Sequence, residues 1–80
     1  SYDSAKINYE RLQIYRLIRL SVGAKEEDRV LKKFVDETYH IENDYLFQLD
    51  PQRFDLIPDW VVDQCDERIA ELTRPSRSES

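Results

Sequence analysis

The chain has one glycine, one cysteine, one histidine and no methionine in its 80 residues. With only three prolines beside that single glycine, it lacks the turn-forming residues of an all-β fold. A lone cysteine, Cys65, excludes an internal disulfide, which suits a reducing, cytoplasmic setting. No apolar run is long enough to cross a membrane, and no signal peptide is recognisable. The missing methionine makes the sequence read as a domain cut from a longer protein. No phosphate-cradling glycine loop, nucleophile–base–orienter set or paired metal motif is present, so neither enzymatic activity nor a cofactor is expected.

What the chain does have is apolar and aromatic side chains in number. Hydrophobic residues make up 40% and aromatics 11%, enough for a packed core rather than a disordered segment. The length allows one domain, and a chain this short leaves much surface exposed, so help from a partner or second copy would be stabilising. The net charge of −5 is unevenly laid out. Residues 1–25 carry five basic and two acidic side chains, and residues 26–80 carry seven and fifteen. An acidic domain is a poor candidate for nucleic acid or an anionic membrane and a better one for a basic partner.

The organising stretch is Ser4–Val22. Projected at about 100° per residue, Ile7, Ile14, Tyr15, Ile18 and Val22 fall in one sector. Ala5, Tyr9, Leu12 and Leu20 fall in a second, with Leu17 between them on the far side. A helix apolar nearly all round needs cover on more than one side. Asp3 or Ser4 can cap its start, and Gly23 suits its end, where a positive φ is wanted. Its basic side chains have the acids of the later segments as ready ion-pair partners.

Residues 25–40 read as a second helix, acidic in its first turn, with Val30, Leu31, Phe34, Val35 and Thr38 on one stripe. The short link through Gly23 places it as an antiparallel neighbour of the first. Residues 41–49 are too apolar for a wet loop, and we read them as helical rather than extended because an isolated strand has no partner. Asp50 and Pro51 open a further helical turn with Phe54 and Ile57 inward. The third main helix spans 58–73, with Val62, Cys65, Ile69 and Leu72 as its buried line and Val61 alongside. Asp59, Asp63, Asp66, Glu67 and Glu71 face water, and the polar residues 75–80 form a disordered tail. The expected architecture is thus all-α: one domain over 1–74, a bundle of three main helices at about 4–22, 25–40 and 58–73, with one or two short helical turns between the second and third.

The favoured function is a non-enzymatic protein-interaction or assembly module, an accessory domain of a larger protein. Its expected contact residues are Tyr9, Leu17, Leu20 and Trp60, and its partner another protein or a second copy of the chain. A first alternative is nucleic-acid binding through Lys6, Arg11, Arg16 and Arg19, interleaved with tyrosines for stacking. A second is a dimeric metal site. Glu37 and His40 match the Glu-x-x-His element of carboxylate-bridged helical bundles, and Asp36 and Asp44 flank His40 at four-residue spacing. Cys65 lies on an apolar stripe and reads as a small buried hydrophobe rather than a nucleophile.

Overall fold

A computed structural model describes residues 1–73. The elements are helix α1 (Tyr2–Val22), a 3-10 turn (Glu26–Asp28), α2 (Arg29–Tyr39), α3 (Asp44–Leu49), a second 3-10 turn (Pro51–Phe54) and α4 (Asp59–Thr73). There is no strand among the described residues. The all-α architecture is the expected one, and of residues 41–49 the part Asp44–Leu49 is helical, while 41–43 form the turn that leads into it. The tail 75–80 lies outside the described residues.

Local chemistry sets the boundaries. The Ser1 side chain accepts from the Ser4 amide and caps α1, so the helix starts earlier than Ser4. Gly23 ends it at φ 90°, a conformation that costs glycine little, and its N–H donates to the Arg19 carbonyl. Residues 26–28 are a separate 3-10 turn, so α2 proper begins at Arg29. His40 then leaves the α2 helix with φ 48° and ψ 49°. Asn43 caps α3, its side chain accepting from the Tyr45 amide. Asp50 and Pro51 open the second 3-10 turn, where proline's missing N–H is no loss.

The core gathers Ala5, Tyr9, Leu12 and Tyr15 from α1, Leu31, Val35 and Tyr39 from α2, then Ile41, Phe54, Val61 and Cys65. Burying each of its larger apolar side chains stabilises the fold by about 1.5–3 kcal/mol. The neighbours α1 lies closest to are α4 and the 51–54 turn. It meets α2 through side chains, among them the Arg19–Asp36 ion pair at 2.9 Å. Asn8 fastens the 51–54 turn to α1, donating to the Phe54 and Asp55 carbonyls at 2.7 and 3.1 Å.

The inward line of α4 corrects the sequence reading. Val61, Cys65 and Arg68 are buried, whereas Val62 and Ile69 are half-buried and Leu72 is exposed. The line is rotated so that an arginine, not Ile69, enters the interior. Arg68 Nη2 donates to the Gly23 carbonyl at 3.0 Å, and Nε stands 3.1 Å from Asp28 Oδ2. Nη1 donates to Glu71 Oε1 at 3.3 Å, and Lys25 Nζ reaches the same oxygen at 2.6 Å. The Arg68 and Asp28 side chains are 7% and 5% exposed, so their charges must be paired to be tolerated there. This network ties the end of α4 to the link between α1 and α2.

Candidate interaction face

Helix α1 divides into two sides. Ala5, Tyr9, Leu12, Tyr15 and Ile18 are buried. Ile7, Ile14, Leu17 and Leu20 stay 57%, 44%, 61% and 65% exposed, which makes the outward side the largest run of uncovered aliphatic groups on one element. Ile7, Ile14 and Leu17 fall within about 80° of one another around the helix, and Leu20 lies one turn on, rotated toward the sector of Tyr9. Two shallow depressions flank this side. One, of about 460 Å³, runs between α1 and the link from α2 to α3. Ile14, Leu17 and Ile41 give it an apolar lining, and Glu10, Glu42 and Asp44 rim it, with Arg16 the one basic group present. The other is lined by Ile7, Leu56, Ile57 and Val62 among others. Leu56 is 88% exposed, the most exposed large apolar residue among those described.

The four expected contact residues are not gathered in one place. Leu17 and Leu20 lie on the outward side of α1. Tyr9, nearly in line with Leu20 but earlier on the helix, is buried, its ring stacked on Phe47 at 4.6 Å and edge-on to Phe54 at 5.1 Å. Its hydroxyl donates to Asp44 Oδ1, and burial pushes its pKa up, with Asp44 adding to the effect. Trp60 rests against Phe34 at 5.2 Å and keeps 38% of its surface exposed. Sequence reading missed Ile41 and Glu42 as neighbours of Leu17. The link that carries them past α1 leaves no periodic signal.

The basic residues of α1 do not form a patch. Arg11 Nε donates to Asp66 Oδ1 at 2.7 Å and its Nη1 to Asn8 Oδ1 at 2.6 Å. Arg19 pairs with Asp36 and lies 5.2 Å from the centroid of the Tyr15 ring. Lys6 and Arg16 have no ion-pair partner among the described residues and lie on different sectors of the helix. Asp36 Oδ2 also lies 3.5 Å from Lys32 Nζ as an ion pair, so the groove holding Arg16, Arg19 and Lys32 already contains its counter-charge.

The carboxylate–histidine spacing does not survive the backbone. Helix α2 ends at Tyr39, and His40 turns out in a left-handed conformation, its Nδ1 3.7 Å from Glu42 Oε1. Asp36, Glu37, His40 and Asp44 therefore do not share one helical face, because α3 restarts only at Asp44. No group of three or more histidine, cysteine, aspartate or glutamate side chains able to hold a metal ion occurs among the described residues.

Cys65 is fully buried, and burial pushes its thiol up to about 12, with the Asp66 charge adding to the shift. A thiol held protonated is a poor nucleophile. No helix among the described residues is long and apolar enough to cross a membrane. No protein-family model matches the chain, and no curated protein or solved structure matches it significantly.

Proposed function

We propose that the chain is a non-enzymatic helical interaction module whose contact face is the outward side of α1. The observation that carries this reading is the exposure of Ile7, Ile14, Leu17 and Leu20 on a helix whose other side is fully engaged in the core. Uncovered aliphatic groups in a row are costly in water and mark places where something else packs. The nucleic-acid reading has less support. Arg11 and Arg19 spend their charge on Asp66 and Asp36, leaving few groups for phosphates.

The test places a photo-crosslinking amino acid at position 17 and, separately, at the exposed Glu37 of α2, in chains expressed in cells. A discrete adduct from position 17 that is absent from position 37 is the expected result. Sedimentation of the purified chain then identifies whether the adduct is a second copy. No adduct from position 17, or the same adducts from both positions, would overturn the proposal.

A further inference from the structure

We infer that the groove beside Ile14 and Leu17 receives a basic amphipathic helix from a partner protein. This rests on the reading of α1 as a contact face and names what meets it. The groove has an apolar floor and wall, formed by Ile41, Ile14 and Leu17. Its rim carries Glu10, Glu42 and Asp44 against Arg16 alone. Asp44 already accepts from Tyr9 and from Gln13 Nε2 at 3.1 Å, which fixes its carboxylate at the groove edge. Glu10 has no ion-pair partner among the described residues. Glu42 has only the loose approach to His40 at 3.7 Å.

Charge complementarity selects the occupant. A second copy meeting this groove with its own would bring Glu10, Glu42 and Asp44 against the same acidic rim. A nucleic acid would bring phosphates to the same carboxylates. A segment with leucine-like side chains on one face and lysines or arginines beside them satisfies both the floor and the rim. A helix suits better than an extended peptide. There is no sheet edge among the described residues to pair with an extended backbone, whereas a helix satisfies its own and packs its ridges along α1.

The test uses a fluorescein-labelled 14-residue peptide of leucine and lysine at helical spacing, and a second in which glutamate replaces lysine. Anisotropy titrations against the full chain are expected to show saturable binding of the lysine peptide, weakened by salt, and none of the glutamate peptide. The E10K/E42K variant should weaken binding about tenfold, as two exposed attractions become repulsions. L17D should abolish it, while D59K/D63K, which alters the acidic side of α4, should change it less than about twofold. L17D is read only beside its circular dichroism melt, and E10K/E42K tests the same groove without touching an apolar group. Equal binding of both peptides, no saturable binding, or a loss in D59K/D63K matching that in E10K/E42K would overturn the inference. An adduct from position 17 without lysine-peptide binding would leave the contact face standing and refute only the basic partner. Loss of both would refute both.

Discussion

Removing Arg68 should be among the most damaging single changes in the chain. Its guanidinium and the Asp28 carboxylate are 7% and 5% exposed, 3.1 Å apart, in the interior between α4 and the α1–α2 link. Arg68→Ala leaves Asp28 buried without its counter-charge and frees the Gly23 carbonyl from its donor at 3.0 Å. Stranding one half of a buried pair costs about 3–5 kcal/mol. At roughly 0.05–0.15 kcal/mol per residue, that is a large part of the stability of a domain this size. Asp28→Asn should cost less, about 1–3 kcal/mol, because Arg68 keeps Gly23 and Glu71. The informative variant is the double change Arg68→Met with Asp28→Leu. Replacing both charges by apolar groups removes the desolvation cost along with the attraction, so the pair should be less destabilised than Arg68→Met alone. Urea unfolding followed by far-ultraviolet circular dichroism gives each difference from the midpoint at constant m value. Single changes costing under about 1 kcal/mol, or a double change equal to the sum of the singles, would refute the view that this pair is a buried, coupled unit.

Leu17→Asp and Leu20→Asp should leave the melting temperature nearly unchanged, within about 0.5 kcal/mol, because both side chains are mostly exposed; calorimetry checks this. Leu12→Ala, at a fully buried site on the same helix, should cost about 2–5 kcal/mol in the same experiment. Alkaline pH should unfold the domain. Burial lifts Cys65 to about 12 and, with Asp28 adding, Tyr15 to about 12. The folded state therefore keeps protons that the unfolded chain releases near pH 9 and 10, and stability falls as pH rises from there toward 12; urea midpoints from pH 7 to 11 would show the decline. At the acid end, Lys25's hydrogen bond holds Glu71 below its ordinary range. That contribution is present at neutral pH and is lost as pH falls through the folded value, so Lys25→Gln should flatten the acid limb of the same curve. His40→Gly should stabilise the chain by up to about 1 kcal/mol, since His40 sits at φ 48° where a side chain is strained; a lower urea midpoint for this variant would contradict that.

Much of the fold was legible because its signals are local. Gly23 could end α1, Pro51 could open a turn, and the periodicity of α2 and α4 could announce helices without reference to one another. The rotation of α4 was not legible. Val62, Cys65, Ile69 and Leu72 make a better apolar line than Val61, Cys65 and Arg68, and only the approach of Asp28 and the Gly23 carbonyl makes an inward arginine favourable. The ion pairs of Arg11 and Arg19 were foreseen in kind but not in partner. The contact face was half visible. Leu17 and Leu20 stood out as surplus apolar groups on a helix, but Ile14 could be assigned to core or surface only once α4 and the 51–54 turn had taken the other side. Tyr9, expected at the contact face, is core instead, because its stacking on Phe47 depends on where α3 lies. The Glu37–His40 spacing assumes a continuous helix, whereas His40 takes a left-handed backbone conformation that its residue type does not announce.

Helix α1 closes the core with one side, and the proposed basic helix would seat against the other. Amide chemical shifts of the nitrogen-15-labelled chain, recorded while the leucine–lysine peptide is added, test this most directly. We expect shifts clustered at Glu10–Leu17 and Ile41–Asp44, with Leu12 and Leu31 holding a folded spectrum throughout. Shifts gathered instead along Asp59–Glu67, with the Leu17 amide unmoved, would contradict it.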